Sequence, residues 1–107
     1  MSSAFGDMGN LLKQAQKMQR DLEQAREELK HARVLGTAGG GVVTLEADGD
    51  GQILAVRIQP GALAGADKSI VEDLVLAAAR DAYAKASALR QERLAKVSGG
   101  LNLPGLY

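Results

Sequence analysis

Three basic side chains, Lys13, Lys17 and Arg20, follow one another at steps of four and three residues. Such steps place residues on one face of an α-helix, so the three form a cationic stripe if residues 8 to 20 are helical. Residues 8 to 20 contain no acid that could pair with them. Rows of ammonium and guanidinium groups neutralise the phosphates of a polyanion. The cationic stripe therefore predicts an anion-binding surface.

A second basic segment lies between residues 85 and 96, where four basic residues accompany a single acid, Glu92. These four are Lys85, Arg90, Arg93 and Lys96. Over the whole chain thirteen Lys plus Arg balance thirteen Asp plus Glu. The chain therefore lacks the bulk positive charge of many nucleic-acid binders, and its basic ends flank a more acidic middle.

Residues that could perform catalysis or bind a metal are sparse. His31 is the single histidine and there is no cysteine, so a disulfide, a thiolate metal site and most nucleophilic triads are excluded. Glu27 and Glu28 are adjacent and therefore point to different helix faces. Glu23 and Glu27 share one face, but such pairs are usually solvent-exposed surface residues. We therefore expect neither an enzyme nor a metal or cofactor site.

Two glycine-containing segments resemble ligand-binding loops only in part. Residues 48 to 51, Asp-Gly-Asp-Gly, begin like a calcium-binding EF-hand, but Ile53 replaces the glycine at position six and Gln59 the glutamate at position twelve. Gly36 and the triplet of residues 39 to 41 are followed by a predicted strand and by no Lys-Ser/Thr pair, unlike a phosphate-binding loop. Both segments are interpreted as turns.

The first helix must position the cationic stripe. Its apolar residues recur at steps of three and four, as in a coiled-coil seam. This apolar seam comprises Met8, Leu11, Ala15, Met18, Leu22, Ala25, Leu29 and Ala32. With Asp7 or Asn10 as the cap and no Pro or Gly in residues 11 to 35, the helix should span about 25 residues, roughly 37 Å. A six-residue strand spans only about 20 Å, so part of the seam must project beyond any sheet and needs another partner.

The middle of the chain is predicted to be a β-hairpin, with alternating apolar runs at 42 to 47 and 53 to 58 around the turn. A further strand near residues 32 to 38 would complete a three-stranded antiparallel sheet. A second long helix is expected to begin at a capping box of Ser69 and Glu72 and to end at Gly99. The expected fold is α+β, in the order α-β-β-β-α, with two long helices flanking the sheet.

The direction of the chain places the basic ends of both helices away from the sheet. If the helices pack antiparallel, the cationic stripe and the basic segment of residues 85 to 96 form one cationic arm. The 107 residues fit one domain, with residues 1 to 8 and 99 to 107 expected as flexible tails. A domain this small gains from dimerisation, which would display the arm twice.

Ordered matches along nearly the whole chain resemble the YbaB/EbfC family of bacterial nucleoid-associated proteins. They include residues 9 to 19 (Gly-Asn-Leu-Leu-Lys-Gln-Ala-Gln-Lys-Met-Gln), the glycine-rich hairpin, Glu-Asp-Leu-Val at 72 to 75, and a Gly-Gly-x-x-x-Pro-Gly tail from Gly99. The resemblance implies an intertwined homodimer with helical arms likened to tweezers. It also implies a cytoplasmic, nucleoid location and binding of double-stranded DNA with little sequence preference, with effects on gene expression.

Under this interpretation the DNA-binding candidates are Lys13, Lys17, Arg20, Lys85, Arg90, Arg93 and Lys96. The candidates for a dimer or partner seam are Met8, Leu11, Met18, Leu22 and Leu29. A protein-protein adaptor in replication or recombination, using the same seam, is the alternative. No membrane partner is expected, since the sequence has no signal-peptide pattern and no apolar run of about 18 residues. No small-molecule substrate is expected either.

Overall fold

The computed structural model describes the backbone of residues 2 to 97 and the side chains of residues 7 to 97. Its elements are helix α1 (Ser2–His31), strands β1 (Arg33–Ala38), β2 (Val43–Asp48) and β3 (Ile53–Ile58), and helix α2 (Lys68–Val97). The strands form one antiparallel sheet in the order β1-β2-β3. The predicted α-β-β-β-α fold is therefore confirmed, and the three strands lie within two residues of their predicted positions.

Helix α1 begins at Ser2, so the predicted start at Asp7 or Asn10 is wrong, and residues 2 to 8, assigned to a tail, are helical. The helix ends at His31 rather than continuing toward residue 35, because β1 pairs with β2 from Arg33 onward. The Arg33 guanidinium donates hydrogen bonds to the carbonyls of Lys30 (3.1 Å) and Ala32 (2.8 Å), which satisfies acceptors that a helix end leaves without partners. Strand pairing therefore determines where α1 stops.

The turn between β2 and β3 is held by Asp48, which is only 6% exposed. Its carboxylate accepts hydrogen bonds from the backbone N–H groups of Asp50 and Gln52, both at 2.9 Å. The Gly49 N–H donates to the carbonyl of Leu29 (2.8 Å), and a Cβ at Gly49 would lie 2.6 Å from that oxygen. The turn thus joins the hairpin to the end of α1, as a structural turn rather than a calcium loop.

Helix α2 begins at Lys68, and the carbonyl of Asp67 accepts hydrogen bonds from the N–H groups of Ile70 and Val71. The predicted cap at Ser69 is wrong because Ser69 lies inside the first turn, and Glu72 instead pairs with Lys68 at 3.8 Å. The predicted end of the helix at Gly99 lies outside the described residues, as do all of residues 98 to 107.

Close packing of α2 on the sheet depends on small residues. Ala78, Ala82 and Ala86 are at most 2% exposed, and the first two join Val43 and Leu45 in the core. A Cβ added to Gly36 of β1 would overlap the carbonyl oxygen of Ala78 and the amide nitrogen of Ala82. Only glycine permits the strand and the helix backbone to approach this closely.

We therefore expect Gly36→Ala to lower the free energy of unfolding by about 3 kcal/mol, because both clashing groups are backbone atoms that cannot rotate away. Urea denaturation followed by circular dichroism measures the change. Gly9→Ala is the matched control, since no atom lies within 4 Å of a Cβ there. The control should stabilise α1 by about 0.5 to 1 kcal/mol, because alanine has the higher helix propensity. Equal stability of wild type and Gly36→Ala would contradict the packing described.

Candidate nucleic-acid interface

The first half of α1 projects beyond the rest of the fold. Helix α2 runs antiparallel to α1, and its last residues, Lys96 and Val97, lie against Asp21 and Ala25 in a shallow surface hollow. One α2 turn earlier, Arg93 contacts Glu28 at 3.3 Å. Residues 7 to 17 are exposed. We call residues 7 to 20 the arm, and it is built from α1 alone.

The cationic stripe lies on the arm, and all three of its side chains are exposed. At 3.6 residues per turn it lies about 150° around the helix from the apolar seam, which is nearly the opposite face. Lys17 pairs with Asp21 at 2.8 Å, and this acid lies one residue beyond the acid-free segment of residues 8 to 20. Lys13 and Arg20 make no ion pair with any residue in the described part of the chain. An exposed pair such as Lys17–Asp21 is weak and leaves the ammonium accessible to a phosphate.

The basic residues of α2 were predicted to lie near the cationic stripe, and they differ in how closely they approach it. Lys96 reaches the base of the arm and pairs with Glu92 at 3.3 Å, and Arg93 pairs with Glu28. Arg90 is half-buried. Lys85 is eleven residues before Lys96 on α2, about 16 Å farther from the arm. The DNA-binding candidates on the arm are therefore exposed, whereas those on α2 are half-buried or paired with acidic side chains.

Lys85 links α2 to β1, which is an edge strand of the sheet. Its ammonium donates to the carbonyl of Leu35 (2.9 Å) and pairs with Asp81 (3.0 Å). Asp81 also accepts the N–H of Thr37 at 2.9 Å. This backbone hydrogen bond, and then the Lys85 ammonium, hold the pKa of Asp81 below its usual value. The contacts of Lys85 are those of a structural residue.

The apolar seam is covered at one end and open at the other. Leu29 is 1% exposed beside Gly49 of the β2–β3 turn, and Ala25 is 6% exposed beside the end of α2. Leu22 and Met18 are half-buried. Leu11 is 65% exposed and Met8 66%, beyond the end of α2. The expectation that part of the seam projects beyond the sheet is confirmed.

A second uncovered apolar surface, which was not predicted from the sequence, lies on the helix side of β3. Val56 pairs with the core residue Leu45 and shares its face of the sheet, yet it is 52% exposed. We call this surface the β3 face, and it comprises Ile53, Val56, Ile58, Leu76 and Tyr83, each at least 44% exposed. The sequence signal was an edge strand with five apolar residues of six, Ile-Leu-Ala-Val-Arg-Ile. Leu12, which is 60% exposed and lies beside Met8, was also not predicted as part of an apolar surface.

His31 does not form part of a reactive site. It is exposed and contacts Glu27 at 3.3 Å. That hydrogen bond, followed by the charge of Lys30, lowers the pKa of Glu27. In the described part of the chain no three His, Cys, Asp or Glu side chains are grouped so that they could hold a metal ion. None of the described helices has the length and apolarity needed to cross a bilayer.

The chain is similar in sequence to known proteins over most of its length. A family model described as "YbaB/EbfC DNA-binding family" matches residues 5 to 101. A nucleoid-associated protein of Acetivibrio thermocellus is 44% identical over 103 residues, which is 95% of this chain and 91% of the relative. One from Thermoanaerobacter pseudethanolicus is 40% identical over 101 residues, covering 94% and 91%.

Among solved structures, the uncharacterized protein HP0035 from Helicobacter pylori superposes with a TM-score of 0.65 at 25% identity. The match covers 82% of this chain and 89% of that one, so the same fold extends over most of both proteins. Family model, relatives and fold agree over nearly the full length. The chain belongs to the YbaB/EbfC DNA-binding family.

Proposed function

We propose that this protein is a homodimer that binds double-stranded DNA with little sequence preference through the basic arms of its two protomers. The observation that carries this proposal is the exposed cationic stripe, which lies opposite the apolar seam and includes two cations, Lys13 and Arg20, that form no ion pair with the described residues. In the bacterial cytoplasm such a dimer would coat or bridge DNA in the nucleoid and thereby influence gene expression. Membership of a DNA-binding family supports the same ligand.

The arm is suited to phosphates rather than to base edges. Lys and Arg side chains on a single exposed helix face contact the backbone, and such contacts carry no sequence information directly. Base stacking needs aromatic rings. Tyr83 is the sole Phe, Tyr or Trp of residues 7 to 97 and belongs to the β3 face rather than to the arm. Phosphate contacts support binding with little sequence preference, and the lack of a described aromatic side chain on the arm favours duplex over single-stranded DNA.

The β3 face supports the homodimer. Strand β3 pairs with β2 along one edge only, and its helix-side apolar residues are left uncovered. Exposed apolar patches on a soluble protein mark interaction sites, and a two-fold axis would let one self-complementary patch cover another. A dimer would present two arms, so that one DNA molecule could contact both. Contact through two arms raises the overall affinity for DNA, and this gain offsets the absence of a net positive charge on the protein.

Fluorescence anisotropy tests sequence preference directly. Several unrelated duplexes of matched length, about three helical turns each, are titrated at one low salt concentration. We expect dissociation constants that agree within about threefold, because phosphate contacts dominate the affinity. One duplex bound more than about 100-fold more tightly than the rest, as in specific recognition, would contradict the proposal.

The open half of the apolar seam favours a second candidate function, that of an adaptor for another protein. A partner helix would contact Met8 and Leu11, whereas DNA would contact the opposite face of the arm. Leu11→Gln therefore separates the two functions. DNA affinity unchanged by this substitution supports the arm as proposed, and abolished affinity would show that the seam itself is needed.

A further inference from the structure

The two edges of the sheet differ in whether their outward backbone groups have partners. On the β1 edge, the Lys85 ammonium donates to the carbonyl of Leu35 (2.9 Å). The Asp81 carboxylate accepts the N–H of Thr37, also at 2.9 Å. These α2 side chains satisfy outward groups in the middle of β1, which is one way in which proteins cover an edge strand. The β1 edge is therefore closed to a further strand, and β3 is the other edge of the sheet.

The alternation of hydrogen bonds in an antiparallel sheet identifies the backbone groups of β3 that point outward. Because Thr37 directs its N–H away from β2, its partner Thr44 directs its own backbone groups toward β3, where it lies opposite Arg57. The hydrogen bond from the Gln59 N–H to the Val42 carbonyl (2.9 Å) follows the same alternation. The odd-numbered residues at this end of β3 therefore bond to β2, and the even-numbered residues direct their backbone groups outward.

Val56 and Ile58 are the residues of β3 whose N–H and C=O groups point away from the sheet by this alternation. No residue in the described part of the chain forms a hydrogen bond with these outward groups. The side chains are also open, since Val56 is 52% and Ile58 44% exposed. An uncovered apolar edge strand is a template for another strand. Pro60, two residues farther on, has no N–H to donate, so the edge that can pair ends with β3.

We propose that β3 pairs antiparallel with β3 of a second copy of this chain, with Val56 opposite Val56 of the partner subunit, so that one continuous sheet runs through the dimer. This register places Arg57 opposite Ala55 of the partner subunit. A register centred on Arg57 would instead oppose two like charges, which is destabilising. The inference rests on the homodimer proposed above and specifies how its two protomers meet.

Edge pairing also explains how the β3 face becomes covered. The two-fold axis of such a pair is perpendicular to the sheet, so α2 of each copy lies on the same side of the joined sheet. The two β3 faces then adjoin between the two α2 helices, where Leu76 and Tyr83 of each copy flank the groove. The β3 face carries no charged side chain, so two copies meet without repulsion. One contact thus satisfies the open edge and covers the open apolar surface.

Cysteine cross-linking of the full-length protein tests the pairing, because the chain has no native cysteine. Ala55→Cys and Arg57→Cys proteins are mixed, allowed to exchange subunits and oxidised with oxidised glutathione. The two cysteines form a non-hydrogen-bonded pair in the proposed register, with Cα atoms about 4.5 Å apart, which suits a disulfide. In either variant alone the cysteines are diagonal, about 8 Å apart, which is too far. We expect about tenfold more cross-linked dimer from the mixture than from either variant alone.

Val56→Cys is the second variant, since its Cα atoms would lie about 5.5 Å apart and it should cross-link to itself. Ile58→Cys is its control and should not, because it lies two residues from the axis. Sedimentation equilibrium separates this inference from the proposed homodimer. A dimeric protein in which the mixture cross-links no better than its components would overturn the edge pairing alone, because direct packing of one β3 face on another leaves residues 55 and 57 on the far sides. A monomeric wild type would overturn both.

Discussion

Replacing Lys13 and Arg20 with Glu is expected to weaken binding to every duplex by about 100-fold at low salt. In a dimer the double variant reverses four charges that face DNA, and each phosphate left without its cation no longer releases counterions on binding. Both residues are exposed and make no ion pair with the described residues, so the fold has no need of their charges. Anisotropy titrations against unrelated duplexes measure the effect, which should be uniform across sequences.

The matched control is Lys30→Glu with Lys68→Glu, which changes the net charge by the same amount. Lys30 lies seventeen residues from Lys13 on α1, about 25 Å toward the sheet, and Lys68 begins α2. Both make only exposed ion pairs, with Glu27 and Glu72, so their replacement costs little stability. A control as severe as the arm variant would mean that net charge, rather than the arm, governs affinity.

Val56→Asp is expected to dissociate the dimer. The substitution places a carboxylate in the centre of the β3 face, and burying an unpaired charge in an apolar interface costs more than such a contact can supply. Sedimentation equilibrium should give the mass of one chain where wild type gives two. DNA affinity should fall by about 100-fold, because separate arms cannot bind one DNA molecule jointly.

Leu35→Asp provides the comparison for Val56→Asp. Leu35 is 48% exposed, similar to Val56 at 52%, but it alternates with Val34 and Gly36, which pack toward α2, and so points from the outer face of β1. It should leave the dimer intact. A dimeric Val56→Asp, or a monomeric Leu35→Asp, would place the interface elsewhere than the β3 face.

The sheet could be predicted from sequence because its signals are local. Alternating apolar residues define β2, a nearly continuous apolar run defines β3, and the Asp-Gly-Asp-Gly turn between them forms through hydrogen bonds of Asp48 to nearby backbone. The starts of the two helices could not be predicted, because several nearby residues are of types that could cap each helix. Asp7 and Asn10 are good caps by type, yet α1 continues through both, and α2 begins at Lys68, so Asp67 rather than Ser69 precedes it.

The candidate site was predictable where it depended on a single helix. Spacing alone placed Lys13, Lys17 and Arg20 on one face, and the structure exposes all three. The relation of α1 to α2 was not predictable in detail, because it depends on where α2 ends against Asp21. The β3 face was missed because an apolar strand suggests burial in the same chain, and the sequence does not show that α2 covers β1 and β2 instead.

The salt dependence of DNA binding tests most directly whether the arms neutralise phosphates. Affinities of wild type and of Lys13→Gln with Arg20→Gln are measured over a series of salt concentrations on one duplex. The logarithm of affinity falls with the logarithm of salt by about 0.9 per neutralised phosphate, so a dimer that neutralises four fewer phosphates should show a slope shallower by about 3.6. Identical slopes for the two proteins would contradict the proposal, because they would show that the arm makes no phosphate contact.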